Sequence, residues 1–386
     1  MEYGNDDRGL DPIRAIPDQQ TGSLAAWLQL VMVAGIGPIL LRDLVAHFGS
    51  PDAVLAAAPS QLREVPGVGP KLARAISMAD PAAVQAELER CRAADIRILT
   101  QGDGDFPAML REIPDPPGLI YLRGQLTTQD RLAVAMVGTR HATAYGLRQA
   151  ERLAAGLARA GITIVSGLAR GVDAAAHRAA LRAGGRTIAV LASGLLEIYP
   201  PQHAALAMEI SGGRGAVISE SSTLGRPLRG AFPRRNRLIT GLSHGTVVVE
   251  AGLRSGALIS ARHAMEQGRE VFAVPGCVDN RAAHGCHRLL RDGAKLVETV
   301  DDVLEELGPL FQPAADDKGR EIYHPGELQL NEQERQVLDA IESMATSIDE
   351  VITRCGLPVH RVLSTLSVLE MRRLVRRVSG NSVVRS

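Results

Sequence analysis

Twelve residues near the middle of the chain, Phe232-Pro233-Arg234-Arg235-Asn236-Arg237-Leu238-Ile239-Thr240-Gly241-Leu242-Ser243, set three guanidiniums and an amide at a predicted helix start. Arg229 lies just upstream. A helix start offers unsatisfied N–H groups and the positive end of a dipole, and forked guanidiniums match phosphate oxygens. The chemistry that follows is binding of a phosphate-bearing partner. The competing reading is a solvated helix face making ion pairs. The whole chain is neutral, with 43 basic and 43 acidic side chains, so the charge here is local.

Similar chemistry recurs in other segments. These are Val137-Gly138-Thr139-Arg140, Ser166-Gly167-Leu168-Ala169-Arg170-Gly171-Val172-Asp173, Ala192-Ser193-Gly194 and Glu250-Ala251-Gly252-Leu253-Arg254-Ser255-Gly256-Ala257. Gly and Ser permit close backbone approach and leave amides free, and three of the four segments carry an arginine. Each follows a predicted strand; the strand candidates are 132–137, 162–166, 187–191, 216–219, 246–249 and 271–274. Helices are predicted between them near 145–160, 174–183, 202–211, 235–242 and 258–267. Continuous apolar strands alternating with helices predict a doubly wound α/β domain whose parallel sheet is covered on both faces. Ligands of such sheets bind beyond the carboxyl ends of the strands. The scattered loops therefore converge on one basic rim, which Arg229 and Arg234 to Arg237 join if the chain after the fourth strand crosses that edge.

A chain of 386 residues exceeds one comfortable core and predicts two or three domains. Hydrophobic residues make up 45% but aromatics only 3%, so the cores are built mostly from Leu, Val, Ala and Ile. All the cations but Lys71, Lys295 and Lys318 are arginine, a bias that genome composition explains, so only the positions of the arginines carry information. Residues 1–22 read as a disordered leader. Residues 23–105 read as a helical domain punctuated by Gly35-Ile36-Gly37-Pro38 and Pro66-Gly67-Val68-Gly69-Pro70. These resemble the hairpins of tandem helix-hairpin-helix (SAM-like) units, whose amides can hold a phosphate oxygen, with Lys71 adding charge. A glycine-capped helix connector is the plain alternative. The α/β domain spans 106–307, a Pro-, Asp- and Gly-containing linker 308–330, and a small unit 331–386. Three predicted helices and a terminal hairpin make that unit winged-helix-like. Its Arg372, Arg373, Arg376 and Arg377 offer phosphate contacts, or its surface binds protein instead.

Other chemistries fit less well. Cys91, Cys277, Cys286 and Cys355 form no CxxC pair, which suits a reducing compartment. The polar opening, Met1 to Gln20, is not the pattern of a signal peptide, and no apolar stretch approaches the ~20 residues of a bilayer span. A soluble cytoplasmic protein is expected. The grouping of Cys277, His284, Cys286 and His287 matches no common zinc template, so no metal is expected. Gly138-Thr139-Arg140 lacks the glycine fingerprint of a dinucleotide site. Asp173 is placed to N-cap the helix that follows it. Glu250 after Gly245-Thr246-Val247-Val248-Val249 resembles the PGGxGTxxE loop of nucleotide N-glycosidases of the lysine-decarboxylase-like family. The leading Pro-Gly-Gly is missing and the acid comes one residue late.

Val137 to Arg140, Ser166 to His177, Phe232 to Arg237, Val249 to Ala257 and Val274-Pro275-Gly276 resemble the signature segments of the DNA-processing protein A family (DprA, also called Smf). The likeness runs strongly from residue 131 to about 300. It implies an extended Rossmann-like fold and a cofactor-free, non-enzymatic, homodimeric binder of single-stranded DNA. Such a protein protects incoming strands in natural transformation and loads the RecA recombinase onto them. The strand-binding residues it implies are Arg140 of the Gly138-Thr139-Arg140 loop, Arg229 where the family commonly has Lys, and Phe232. Joined to the loops above, the candidate set is Gly138, Thr139, Arg140, Ser166, Gly167, Arg170, Gly171, Arg229, Phe232, Arg234, Arg235, Asn236, Arg237, Ser255 and Gly256. Gly285-Cys286-His287 departs from the family's usual Gly-Thr-Asn. A nucleotide-binding or nucleotide-cleaving enzyme sharing the pocket, and a duplex-DNA regulator acting through the C-terminal unit, are the alternatives.

Overall fold

The computed structural model describes residues 18–308, 314–315, 321–322, 330–341, 346–371, 374–378 and 381–385. The expected leader over 1–17 and the expected phosphate contacts of Arg372 and Arg373 lie outside the described residues. Two compact units are present, one ending at Arg90 and one beginning at Cys91.

The first unit is helical, with helices Asp18–Met32, Pro38–Phe48, Pro51–Ala56, Pro59–Leu62 and Pro70–Ser77 and the greater part of Pro81–Ala93. Residues 18–22, expected in the leader, are helical; the apolar positions Leu24, Leu28 and Leu30 are buried, and the helix they anchor runs back through a polar first turn. Two hairpins share one geometry. Gly35 and Gly67 take φ of +102° and +91°, a conformation that glycine adopts without strain, and Gly37 and Gly69 then cap helices that open on Pro38 and Pro70. The pair packs reciprocally, Gly35 facing Leu72 and Gly67 facing Leu40.

The second unit is built on a nine-stranded sheet. Its strands are β1 (Arg97–Thr100), β2 (Leu119–Gly124), β3 (Ala133–Val137), β4 (Thr163–Ser166), β5 (Thr187–Leu191), β6 (Gly215–Ser219), β7 (Gly245–Val248), β8 (Glu270–Ala273) and β9 (Lys295–Leu296). The order is β1-β2-β6-β5-β4-β3-β7-β8-β9, parallel from β6 to β9. Strands β3 to β6 wind outward on one side, and the chain returns to place β7 beside β3, so the winding reverses there. Each of β3 to β7 is buried along its whole length. Side chains of β3 alternate between two cores: Ala133, Ala135 and Val137 face one, Val134 and Met136 the other. Helices Ala144–Arg159 and Val172–Arg182 cover the second face, and Ala231–Gly241 and Ala257–Glu266 the first.

The structure adds what the sequence reading did not include. Residues 97–124, which span the expected boundary between the helical and α/β domains and carry no strand candidate, supply β1 and β2. These pair antiparallel, Arg97 opposite Leu122, and extend the sheet through Tyr121 opposite Ser219 of β6. Helix Ala231–Gly241 begins four residues before the predicted start at 235. In the expected linker, Ala314–Ala315 pairs with Glu321–Ile322. The C-terminal residues form helices Glu332–Asp339, Ile348–Cys355 and Val359–Met371. With them lies a three-stranded sheet in which Ser382–Arg385 runs between Thr346–Ser347 and Val375–Val378, a winged-helix arrangement. Its Arg376 and Arg377 are exposed, Arg377 pairing with Glu370 at 3.2 Å. Among the described residues no helix is long and apolar enough to cross a membrane.

Candidate nucleic-acid site

Beyond the carboxyl ends of β3, β4 and β5, a cleft of about 150 Å³ is lined by Arg140, Gly167, Arg170, Tyr199, Phe232 and Arg235 among others. At its centre the Arg140 guanidinium lies over the Phe232 ring, 4.8 Å from the centroid. Tyr199 meets the same ring edge to face at 5.8 Å. Arg170 is exposed and held by Gln202 at 3.2 Å. An aromatic face, a second ring and two exposed guanidiniums at a strand-end rim suit a base with its flanking phosphates.

The loop after β4 that presents Arg170 is fastened from three directions. Asp173 accepts hydrogen bonds from the amides of Gly167 (3.1 Å) and Ala169 (3.3 Å). The buried His203 donates from Nδ1 to the Leu168 carbonyl at 2.8 Å. Arg235 donates to the carbonyls of Gly167 (2.7 Å) and, very closely, Val190. Leu168 is held at φ +56°, a left-handed conformation that costs about 1–3 kcal/mol and persists only where neighbours enforce it. Gly171 takes φ +75° with its α-carbon against the Thr139 carbonyl, where a side chain would collide. Asp173 is therefore inside the first helical turn, with Gly171 at the cap, and its carboxylate clamps the loop. That corrects the reading of Asp173 as the N-cap. Burial raises the Asp173 carboxyl above its ordinary range, opposed by Arg235 and the two amides, and lowers Arg235 to about 10. Arg235 stays charged at neutral pH.

Several candidate residues shape the site from below. Ser166 is fully buried and donates to the Met136 carbonyl at 2.6 Å. Arg237 is buried with Nε 3.0 Å from Asp115, and it donates to Glu220 at 2.7 Å. Both were expected to touch a DNA strand; Ser166 and Arg235 instead donate to carbonyls inside the domain, and Arg237 faces two carboxylates there. Arg234 is exposed with Glu220 at 3.6 Å. Asn236 accepts from Arg235 and reaches the Gly256 carbonyl at 3.4 Å, so Ser255 and Gly256 adjoin helix Ala231–Gly241 and do not line the cleft. Thr139 donates its amide to the Glu250 carbonyl at 2.7 Å, which joins the Gly138-Thr139 turn to the loop after β7. Arg229 is exposed and makes no ion pair among the described residues.

Glu250 and the cysteine–histidine loop have defined structural partners. The buried Glu250 carboxylate accepts from the amide (2.8 Å) and hydroxyl (2.8 Å) of Thr143 and from Asn280 (3.2 Å). His284 Nε2 and His287 Nε2 pair with the carbonyls of Val278 and Gly276, each at 3.0 Å. Cys286 is buried with its thiol toward the Val248 carbonyl, and burial pushes it up to about 11. A thiol so protonated is a poor ligand and nucleophile.

Tyr199 and Gln202 were missed by sequence reasoning. The available signal was Leu195-Leu196-Glu197-Ile198-Tyr199-Pro200-Pro201, which places one of the chain's 5 tyrosines in the loop after β5.

A buried histidine of the same motif makes the domain acid-sensitive. His177 Nδ1 meets the Thr187 hydroxyl at 2.7 Å, and that hydroxyl donates to the Ile164 carbonyl, so Nδ1 carries the hydrogen and the ring is neutral. Burial lowers its pKa to about 3. Below pH 6.5 the unfolded chain takes up a proton that the folded chain refuses, so stability falls as pH drops from about 6.5 toward 3. At about 1.4 kcal/mol per pH unit, roughly 2 kcal/mol is lost between pH 6.5 and 5. Urea denaturation of wild type and His177→Gln across this range measures it; equal pH dependence in the two proteins contradicts the assignment.

With the geometry in place, comparison with known proteins is direct. The family model described as DNA recombination-mediator protein A matches residues 97–308, the DprA winged helix domain 324–381, and the SAM-like helix-hairpin-helix tandem 28–79. The Protein Smf of Synechocystis is 35% identical across 92% of this chain and 97% of its own length. The crystal structure of DNA processing protein A from Streptococcus pneumoniae superposes with TM-score 0.65 at 34% identity, covering 73% of this chain and 97% of that one. A Helicobacter pylori DNA processing protein A, solved for its single-stranded DNA binding mode, superposes with TM-score 0.50 at 31% identity, covering 56% of this chain and 97% of its own. A family model spanning more than half of the chain, and a relative alike along nearly all of it, establish that the chain belongs to the DNA recombination-mediator protein A (DprA/Smf) family.

Proposed function

We propose that this protein binds single-stranded DNA through the Arg140–Phe232 cleft without catalysing a covalent step. Acting in the cytoplasm as a homodimer, it shields strands taken up in natural transformation and loads the RecA recombinase onto them. The observation that carries the reading is the Phe232 ring set between Arg140 and Tyr199 at the mouth of a loop fixed in advance. The site reads no sequence: guanidiniums contact phosphates and rings accept any base face. The Helicobacter relative's binding of single-stranded DNA supports the assignment. The N-glycosidase alternative is disfavoured by Glu250, whose carboxylate is engaged by Thr143 and Asn280.

Fluorescence polarisation with labelled short oligonucleotides across a salt series tests the proposal. With Arg140, Arg170 and the exposed Arg229 as the three phosphate contacts, log affinity falls with log salt at a slope of about −2. Single strands bind more tightly than duplexes of equal length, because stacking on Phe232 requires an unpaired base. A slope near zero, or preference for duplex, removes the cleft from the account.

A further inference from the structure

Helices Ala144–Arg159 and Val172–Arg182 follow β3 and β4, so both start at the strand-end rim and run away from it. They pack against one another. Between them lies an open groove of about 540 Å³ whose lining includes Arg148, Arg152, Arg159 and Arg182. A second hollow of about 360 Å³ adjoins both this groove and the cleft. It shares Arg140, His141 and Arg170 with the cleft, shares Glu151 with the groove, and adds Arg178. Shared lining residues place the three hollows side by side.

The residues follow helical spacing. Positions 148, 152, 155 and 159 fall on one stripe of the first helix, and 178, 179 and 182 on one side of the second. From Arg148 to Arg159 the stripe runs about 16 Å at 1.5 Å per residue. Ala155 and Ala179 stand among the arginines, so a backbone can approach closely. Five guanidiniums face one carboxylate of the lining, Glu151, which holds Arg182 at 3.4 Å. Arg152 is tied to Gln149 at 2.6 Å and closely to the Glu298 carbonyl. Arg148, Arg159 and Arg178 are exposed and make no ion pair among the described residues. Arg159 and Arg182 occupy last turns, where a helix dipole favours cations. That accounts for neither Arg148, Arg152 nor Arg178, and like charges spaced four apart on a helix repel.

We propose that the groove is a second binding segment for single-stranded DNA: a strand held at Phe232 continues past Arg178 and lies along the two helices as far as Arg159. The inference rests on the single-strand reading of the cleft. Adjacency to that cleft and the local excess of cations favour one polyanion passing through both.

The test uses the full chain, wild type against Arg148→Gln/Arg159→Gln/Arg178→Gln, with oligothymidylates of about six and about thirty nucleotides, short and long relative to known site sizes. The triple variant is expected to bind the long strand on the order of tenfold more weakly, with a salt slope shallower by about 2, and the short strand as wild type does. Unchanged affinity for the long strand, or equal losses at both lengths, overturns the groove. Arg140→Ala weakens both lengths if the cleft reading holds; if it weakens neither, the cleft fails while the length comparison still judges the groove. Polyglutamate as competitor separates the remaining occupant. If the triple variant loses polyglutamate binding and keeps the long strand, the groove takes an acidic protein segment and the proposal is wrong.

Discussion

Arg235→Met is expected to destabilise the α/β domain by about 3–5 kcal/mol, because a charged donor shared by two buried carbonyls is lost and each stranded acceptor costs about 1–3 kcal/mol. The guanidinium is nearly enclosed, donates to two carbonyls and offsets the buried charge of Asp173. Methionine fills similar volume but leaves the carbonyls of Gly167 and Val190 unpaired and takes from the Asp173 carboxylate the largest of the influences that oppose its burial, leaving two amides and Arg140. For a domain of this size the loss lowers the melting temperature by roughly 6–20 °C in thermal denaturation. Arg235→Lys recovers only part, since one ammonium cannot reproduce the fork toward two carbonyls. A melting temperature within two degrees of wild type for Arg235→Met contradicts the structural assignment.

That expectation also marks where the sequence stops being informative. The strands of the parallel sheet were legible because burial on both faces leaves unbroken apolar runs; the span predicted at 187–191 is the strand Thr187–Leu191. Strand β1 was not legible. Of its four residues only Leu99 is buried, and what makes them a strand is pairing with Leu119–Leu122 some twenty residues on. The arginine cluster was legible in type but not in depth. Arg234, Arg235 and Arg237 look alike in sequence, yet Arg235 is buried against Gly167 and Val190 and Arg237 against Asp115 and Glu220. Their partners sit far away in sequence, so propensity and local charge could not separate them. The exposed cations of the cleft, Arg140 and Arg170, sit in glycine-bearing loops directly after strands, and that local signature is why they could be found. Tyr199 belongs to the site only because the loop after β5 folds back over Phe232.

Arg140→Ala and Phe232→Ala are each expected to weaken single-strand binding, by amounts that do not add. Phe232 supplies stacking worth about 1–3 kcal/mol per base, and a charge-assisted hydrogen bond from Arg140 to phosphate about 1.5–3 kcal/mol. Summed, these predict a loss of about 10²- to 10⁴-fold for the double variant. In the free protein, however, Arg140 rests on the Phe232 ring at 4.8 Å, so the ring positions the guanidinium as well as the base. Removing Phe232 therefore frees Arg140 and already forfeits part of its contact. The double variant should lose less than the sum, with a coupling of about 0.5–2 kcal/mol, the scale of a cation–π pair and of residues in contact. Phe232→Tyr retains a ring and should bind within a few-fold of wild type, whereas Phe232→Leu keeps volume but loses the π face and should approach the alanine variant. Titration of one labelled strand against wild type and these five variants at fixed salt measures these quantities. Strict additivity means that Arg140 and Phe232 act on separate nucleotides. A loss smaller than the sum means instead that the ring still holds the guanidinium when the strand is bound, so that both act on one nucleotide and its adjoining phosphate; a loss larger than the sum means that the strand displaces Arg140 from the ring. Tyr199 meets the same ring edge to face and its hydroxyl takes no part in the Arg140 contact, so Tyr199→Phe should leave the coupling intact.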